Sequence, residues 1–364
     1  MLDRETLLRA AASNHRSLFR RQALASSGRI ERFGGVDLVL AWRHGTVPFP
    51  RSRSRDRIVE VTRRARRLRL RGVGWWSLRR EPVTGTLLVA RGWEWGWQPH
   101  WMARDLSAPL DEPEHEVVAV VGAEGDELPY AVPGPDPPGV HHLGVRRDGE
   151  TLGHVVVNPW RGVAGIYSMG VVPAARRRGI GKALTLAACR LGRELGCTHA
   201  VLNATGEGEL LYRTVGFESL GWGQTWWLHP GPPPTPRATA LTEALGLGDL
   251  RAVEELRPTP AELETPLTRD MVPLALALVT GRPDVAAWLL DRRPDLVSKP
   301  IEQRGGTLLH CAVEWDDAAF VELALARGAD REARDRWWNG TPLDWAEHLG
   351  RAGLAARLRA SARA

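Results

Sequence analysis

The residues best suited to chemistry stand in one short turn, where an apolar run gives way to a basic, glycine-containing stretch. The run closes on Val171-Val172-Pro173, and the stretch that follows reads Arg176-Arg177-Arg178-Gly179-Ile180-Gly181-Lys182-Ala183. A turn from a strand into a helix directs backbone N–H groups and the positive end of the helix at one spot, which makes an anion site. Glycines let a phosphate approach the backbone closely, and arginines add charge. The spacing therefore predicts a phosphate-binding turn.

Apolar periodicity on both sides of the turn predicts the elements that hold it. Leucine and alanine recur on one face of a helix that stops at Gly196, and Asp148-Gly149 is a typical two-residue hairpin turn. The predicted elements are strands at 143–146, 152–157, 163–172 and 199–203 and a helix at 182–195. This order of strands and a helix predicts an α/β fold.

A second motif lies downstream of the last of these strands. It reads Glu209-Leu210-Leu211-Tyr212-Arg213-Thr214-Val215-Gly216-Phe217. The basic turn, the strand and this Tyr-Gly-Phe element, in this order and spacing, resemble the GNAT superfamily of acetyl-CoA-dependent N-acetyltransferases. The resemblance implies a mixed-sheet acetyltransferase fold over 113–229, with acetyl-CoA as donor and an amine as acceptor.

The same resemblance implies roles for individual residues. Turn amides hold the diphosphate, the strand before the turn pairs with pantetheine, and one of its N–H groups polarises the acetyl carbonyl. Tyr212 matches the family tyrosine that protonates the thiolate of coenzyme A; a buried tyrosine packing a core is the alternative. The predicted cofactor-binding residues are Met169, Val171, Val172, Arg176, Arg177, Arg178, Gly179, Ile180, Gly181, Lys182, Ala183, Asn203 and Thr205.

The sequence departs from the family at two places. Thr205 stands where many relatives carry asparagine, and its hydroxyl can still bond the cofactor. Relatives place two acceptor-binding helices between their first strands, whereas residues 111–140 here predict a strand at 114–121 followed by prolines that disfavour helices. The general base stays unassigned among Glu124, Asp126, Glu127, His141, His142 and His154, because surface charge or strand packing explains each equally well.

The C-terminal part carries a repeat. Leu241, Leu274, Leu309 and Leu343 are 33, 35 and 34 residues apart, and an alanine follows each three residues later. Gly248 and Gly281 mark turns between paired helices, where the third unit has Asp316. The units resemble ankyrin repeats, which implies an all-α solenoid of about four repeats over 237–364 and a surface for a protein partner. The Pro-rich residues 230–236 predict a stiff linker before it.

The N-terminal part shows a weaker internal similarity. Residues 87–94 parallel 211–218, and Trp101-Met102 echoes Trp226-Trp227. We interpret residues 1–112 as a degenerate copy of the C-terminal half of the acetyltransferase fold that has lost its phosphate turn; chance similarity is the alternative. Trp93, Trp95 and Trp97 alternate, which predicts one buried face of a strand.

Composition excludes several classes of protein. The net charge of +6 is the difference between 49 basic and 43 acidic residues. Two of the basic residues are lysine, and this preference for arginine is typical of GC-rich bacterial genomes. The densest arginine run, 51–71, has apolar residues at helical spacing, so we interpret it as the solvated face of an amphipathic helix rather than a nucleic-acid site. Three scattered cysteines predict neither disulfides nor a metal site, and a cytoplasmic protein without membrane contact is expected.

Two functions therefore stay open. The first is an N-acetyltransferase in which an amine attacks the thioester directly and the repeats recruit a substrate or partner. The second is a non-catalytic interaction protein with a vestigial acetyltransferase fold, in which Trp337-Trp338 mark a contact surface. The acceptor can be a small amine or a protein, because a fold does not determine its substrate.

Overall fold

The computed structural model describes residues 2–120, 137–269 and 271–360. The chain forms two compact units that interleave along the sequence. Unit 1 comprises Met1–Ser52, Ala65–Arg80 and Trp97–Thr225, and unit 2 comprises Arg53–Arg64, Glu81–Gly96 and Trp226–Ala364.

The described residues contain strands and helices in the following order. The strands are β1 Arg29–Phe33, β2 Val36–Ala41, β3 His44–Pro48, β4 Gly72–Ser77, β5 Glu94–Trp95, β6 His100–Asp105, β7 Val118–Ala119, β8 His141–Arg147, β9 Glu150–Trp160, β10 Val163–Val171, β11 His199–Ala204, β12 Glu218–Trp222 and β13 Gln224–Leu228. The helices are α1 Arg4–Ala25, α2 Arg55–Arg67, α3 Pro82–Val89, α4 Ile180–Glu194, α5 Gly206–Thr214, α6 Pro236–Leu247, α7 Leu250–Leu256, α8 Pro273–Val279, α9 Pro283–Arg292, α10 Leu308–Glu314, α11 Ala318–Ala326, α12 Pro342–His348 and α13 Ala352–Ala360.

The larger sheet of unit 1 carries the predicted phosphate turn. Its strand order is β12-β6-β11-β10-β9-β8-β7, and β10 and β11 are its parallel pair. Asp148 and Gly149 join β8 to β9 with φ of 52° and 85°, as the predicted hairpin turn requires. One face of this sheet packs against α4, whose buried Ile180, Leu184 and Ala188 join its core. The predicted strands, hairpin and helix of this region are confirmed to within a few residues.

A buried polar network fixes α1 to the opposite face of this sheet. Asn14 donates hydrogen bonds to the carbonyl oxygens of Asn158 (2.9 Å) and Val163 (2.8 Å). Its Oδ1 accepts from Asn158 Nδ2 at 3.0 Å and from the hydroxyl of Tyr167 at 3.0 Å. The network is fully paired around a side chain that is 0 % exposed, so it specifies how α1 docks.

Replacing Asn14 with leucine is expected to lower the free energy of unfolding by about 3 kcal/mol, because the Tyr167 hydroxyl and the carbonyl oxygens of Asn158 and Val163 would lose their buried hydrogen bonds to this side chain. Urea denaturation at neutral pH measures this change. Arg9→Ala on the exposed side of α1 is the control and should change stability by less than about 0.5 kcal/mol. A loss below about 1 kcal/mol for Asn14→Leu would show that the network contributes little.

The first four strands repeat the arrangement of β8–β11. β1 and β2 are antiparallel, β2 and β3 are antiparallel, and β3 and β4 are parallel with α2 between them in the chain. β8 to β11 have the same sequence of directions, with α4 in the place of α2. The tandem prediction is confirmed, and the copy is larger than expected because β1–β3 match strands of the N-terminal half as well.

The two copies exchange their last strands. β6 follows the first copy in the chain, yet it pairs with β11 and β12 of the second. β13 follows the second copy, yet Trp226 and Trp227 of β13 pair with Trp95 and Glu94 of β5. Each copy therefore supplies the strand that pairs with the edge strand of the other.

Helix pairs make up the C-terminal part of unit 2. The pairs are α6–α7, α8–α9, α10–α11 and α12–α13, and the first helices of successive pairs stack on one another. Gly248 and Gly281 end α6 and α8 with φ of 76° and 65°, and Asp316 adopts the same left-handed conformation at 53°. This arrangement is the stacked solenoid that the repeat pattern predicts.

The arginine-rich helix is amphipathic, as the sequence predicts. α2 buries Ile58, Val61 and Ala65, so its arginines lie on the more exposed face, as expected.

The predicted strand with alternating tryptophans is wrong. β5 covers only Glu94–Trp95; Trp93 bonds Thr62, Trp95 packs on Trp226 and Trp315, and Trp97 packs edge-on against Trp76. No helix among the described residues is long and apolar enough to cross a membrane.

Two predictions concern residues 111–140. The strand expected at 114–121 is shorter than predicted. β7 covers Val118–Ala119 alone, and these two residues pair with β8. The structure has no helix at residues 111–120 or 137–140. Residues 121–136 lie outside the described part of the chain.

Candidate active site

The predicted phosphate turn forms the N-terminal end of α4. A short 3-10 turn, Pro173–Ala175, follows β10, and Gly179 at the N-cap of α4 has a φ of 81°. That left-handed conformation favours glycine. Ala183 N–H bonds the carbonyl oxygen of Gly179 at 3.0 Å, so the amides of Ile180, Gly181 and Lys182 precede the first helical hydrogen bond. These amides and the exposed Arg176–Arg178 make the positive end that an anion requires.

The parallel strands beside the turn separate where the thioester is expected. β10 and β11 pair from Val163 with His199 to Ile166 with Leu202, and the described ladder between them ends there. On its other side, β10 shifts register against β9 between Tyr167 and Gly170. Ser168, with a φ of 49°, and Met169 therefore lie in a bulge outside both ladders.

Tyr212 lies beside this bulge. Its hydroxyl is 3.7 Å from Sδ of Met169, and its ring centroid is 5.8 Å from that of Phe217. Tyr212 of α5 has 9 % of its surface exposed, so its ring is nearly buried and held in one orientation. The structure thus brings the predicted acid next to the predicted pantetheine strand.

For the remaining predicted cofactor-binding residues, the structure shows mainly hydrogen bonds within the protein. Val172 bonds Leu152 through its amide (2.9 Å) and Ala175 through its carbonyl, and the amide of Ala183 belongs to the helix. Thr205 caps α5 by accepting from Gly208 N at 3.1 Å. Asn203 alternates with the buried Leu202 and Ala204, so its side chain lies on the sheet face opposite Tyr212. Val171 accepts from Arg176 Nε at 3.3 Å, which holds the first arginine against the end of β10.

A polar cluster that the sequence analysis missed anchors α5. His100 Nε2 lies 2.7 Å from Ser219 Oγ, and His100 Nδ1 lies 3.0 Å from Oε2 of Glu209 at an angle poor for a hydrogen bond. Arg213 donates to Glu209 Oε1 through Nε (2.9 Å) and Nη2 (2.7 Å). Glu209 and Arg213 are four residues apart on α5, whereas His100 comes from β6 and Ser219 from β12, and no spacing in the sequence links these two to the helix. The cluster holds the helix that carries Tyr212.

Glu209 makes this anchor sensitive to acid. Burial alone would raise the pKa of Glu209, but the contacts with His100 and Arg213 outweigh it and hold the pKa at about 2, below the usual 4.5. A pKa lowered by folding stabilises the protein above the unfolded value, and this contribution is lost as the pH falls from about 5 to about 2. Glu209→Gln is therefore expected to lower the free energy of unfolding by about 2 kcal/mol at pH 7 and by much less near pH 3.

Urea denaturation of both proteins at pH 7 and near pH 3 measures this difference. The matched control is Glu207→Gln, which removes an acidic charge from the first turn of the same helix. An equal stability difference between wild type and Glu209→Gln at both pH values would contradict the assignment.

The candidate bases are dispersed. His142 and His154 are buried on β8 and β9, where burial and the charge of His142 lower the pKa of His154 to about 4. His141 is half-buried at the start of β8. Glu124, Asp126 and Glu127 lie outside the described residues. No cluster of potential metal ligands occurs in 2–120, 137–269 or 271–360.

Comparisons with known proteins place this site in context. The model of the acetyltransferase (GNAT) family matches residues 93–217, and the ankyrin-repeat model matches residues 304–336. The first match begins before β6, the exchanged strand that completes the sheet. Protein PhlB of Serratia liquefaciens is 30% identical over 112 residues, which are 31% of this chain and 48% of PhlB. The chain thus spans about half the length of that relative.

Two solved structures of acetyltransferases align with part of this chain. A GCN5-related N-acetyltransferase from Kribbella flavida aligns with a TM-score of 0.47 at 21% identity, covering 62% of this chain and 96% of that one. A tandem GNAT protein from the clavulanic acid biosynthesis pathway aligns with a TM-score of 0.38 at 16% identity, covering 55% and 82%.

Proposed function

We propose that this chain is an acetyl-CoA-dependent N-acetyltransferase, because the model of the acetyltransferase (GNAT) family matches residues 93–217 and the ankyrin-repeat model matches residues 304–336. The observation that carries the proposal is the proximity of the first turns of α4, the β10 bulge and Tyr212: Met169 Sδ in the bulge lies 3.9 Å from Thr185 Oγ1 of α4 and 3.7 Å from the Tyr212 hydroxyl. Acetyl transfer from coenzyme A needs three things: donors for the diphosphate, space for the thioester between two strands, and an acid for the thiolate. The helix N-terminus, the separated strands and Tyr212 are the candidates for these roles.

The mechanism follows from these positions. The amides of Ile180–Lys182 and the three arginines would hold the diphosphate, and backbone groups of the β10 bulge would pair with pantetheine. An N–H of Ser168 or Met169 would stabilise the oxyanion that forms when the amine attacks the acetyl carbonyl. As the C–S bond breaks, Tyr212 would give its proton to the sulfur. The attacking nitrogen would lose a proton to solvent, and solvent would return a proton to Tyr212, which leaves an acetamide and coenzyme A. Positioning of the two reactants would supply most of the acceleration.

A second function is supported by a separate observation on the repeats. Trp337 and Trp338 are 65 % and 56 % exposed, which is unusual for large aromatic side chains. Asp335 fixes their loop by accepting from the amides of both (2.8 Å each) and from Trp345 Nε1 at 3.0 Å. A rigid aromatic pair suits a protein contact. We therefore propose a protein partner or protein substrate on the repeats, and a non-catalytic interaction protein is the competing function.

The test of the proposed function is acetyl-CoA binding by calorimetry, followed by release of coenzyme A thiol in the presence of a panel of amines. Binding at micromolar affinity with thiol release that depends on one amine class supports an acetyltransferase. Absence of acetyl-CoA binding, with the chain folded, would leave the interaction protein. The buried thiols of Cys189, Cys197 and Cys311 and the arginine-rich composition support the further proposal of a bacterial, cytoplasmic location.

A further inference from the structure

An acidic segment without an assigned role, Asp111–His115, lies against the phosphate turn. His115 Nε2 donates a hydrogen bond to the carbonyl oxygen of Arg178 across 2.6 Å. A Cβ atom on Gly179 would lie 3.2 Å from Oε2 of Glu114 and 3.5 Å from the His115 ring. Two neighbours in the chain thus contact the turn differently, one through a hydrogen bond to its backbone and one through a negative charge.

Ion pairs hold the acidic segment along α4. Asp111 Oδ2 is 3.6 Å from Nζ of Lys182, in the first turn of the helix. Arg190, about two turns later, binds Glu112 at 2.7 Å and the carbonyl oxygen of Asp111 at 2.7 Å. The contact with Lys182 keeps the Asp111 carboxylate at the positive end of α4, where negative charge is favourable, and the contacts with Arg190 hold the segment farther along the helix.

We infer that His115 and Glu114 are positioning residues of the donor site with opposite effects on acetyl-CoA binding. His115 holds the carbonyl of Arg178 outward, so that the following amides keep the conformation that binds the diphosphate. Glu114 places a carboxylate at the same helix end and repels the diphosphate, so the donor must displace this charge. The inference rests on the proposed function, because it concerns the affinity of that donor.

The effects of the two residues differ in their dependence on salt. Glu114 is exposed and acts through charge, so added salt should screen its effect. The hydrogen bond of His115 is short and local, so salt should change its effect little. This difference separates a charge effect from a change in folding.

The experiment is calorimetric titration of the full chain with acetyl-CoA, at low salt and at about 0.5 M salt. Glu114→Gln should bind about fivefold more tightly at low salt, and this gain should shrink at high salt. His115→Ala should bind about tenfold more weakly at both, and His115→Asn, which keeps a donor, should recover most of the affinity. Glu116→Gln is the control and should match wild type: it is an equal charge change in a residue that is not among those nearest a Cβ on Gly179.

The outcomes separate this inference from the proposed function. Unchanged or weaker binding by Glu114→Gln, or unchanged binding by His115→Ala, overturns the inference while the proposed function stands. Loss of affinity in His115→Asn equal to that in His115→Ala also overturns it, because the hydrogen bond would then be irrelevant. If the folded wild type binds no acetyl-CoA, the proposed function fails and the inference fails with it. Thermal melts confirm that each variant is folded.

Discussion

Gly179→Val is expected to weaken acetyl-CoA binding at least about 100-fold, which corresponds to roughly 2.7 kcal/mol. Gly179 has a φ of 81°, a left-handed conformation that a β-branched residue adopts only with strain. The new side chain would also start 3.2 Å from Glu114 Oε2. The turn would therefore change shape, and its amides would no longer converge on one diphosphate. Calorimetry with acetyl-CoA measures the loss.

A matched variant separates this loss from general destabilisation. Gly196 follows the other end of α4 with a φ of 76°, and a Cβ there would meet no atom within 4 Å. Gly196→Val thus introduces the same backbone strain far from the turn. Both variants should lower the melting temperature by similar amounts, and only Gly179→Val should lose the donor. Equal acetyl-CoA affinity in the two variants would contradict the assigned phosphate site.

Tyr212→Phe is expected to lower turnover by about 10- to 100-fold while acetyl-CoA affinity stays within about threefold. The Tyr212 hydroxyl lies 3.7 Å from Met169 Sδ, beside the bulge where the sulfur of the donor would lie. Removing it leaves the thiolate to depart without a proton, and the ring still packs on Phe217. Thiol release at saturating acetyl-CoA, together with calorimetry, separates turnover from binding.

Tyr167→Phe is the control for removal of a tyrosine hydroxyl from the same domain. That hydroxyl donates to Asn14 at 3.0 Å, inside the buried network under α1, so its loss should lower stability and leave turnover nearly unchanged. Full turnover in Tyr212→Phe would remove the acid role. Equal losses of turnover in both variants would show that the effect is structural.

The site could be predicted from the sequence because its signals are local. The basic turn, its glycines and the following helix occupy consecutive residues, and the periodicity of α4 and the Asp148-Gly149 hairpin fall within windows of a few turns. Tyr212 was identified by its place in a short motif. The structure adds the β10 bulge, which brings Tyr212 and Met169 together and which periodicity alone does not show.

The features that could not be predicted depend on contacts between distant segments. The exchange that pairs β6 with β11 involves residues about a hundred positions apart, and the His100–Glu209 contact spans a similar distance. Trp93, Trp95 and Trp97 alternate as in a strand, but each contacts a different partner. The alternation therefore predicted a longer strand than the two residues of β5. The contact of His115 with Arg178 likewise joins a segment without periodicity to the turn.

The measurement that tests the proposed acetyl-CoA site and the acid role of Tyr212 most directly is a crystal structure of the chain with bound acetyl-CoA. We expect the diphosphate on the amides of Ile180, Gly181 and Lys182, pantetheine between β10 and β11, and the thioester sulfur within hydrogen-bond distance of the Tyr212 hydroxyl. A diphosphate bound elsewhere, or a sulfur remote from Tyr212, would contradict it.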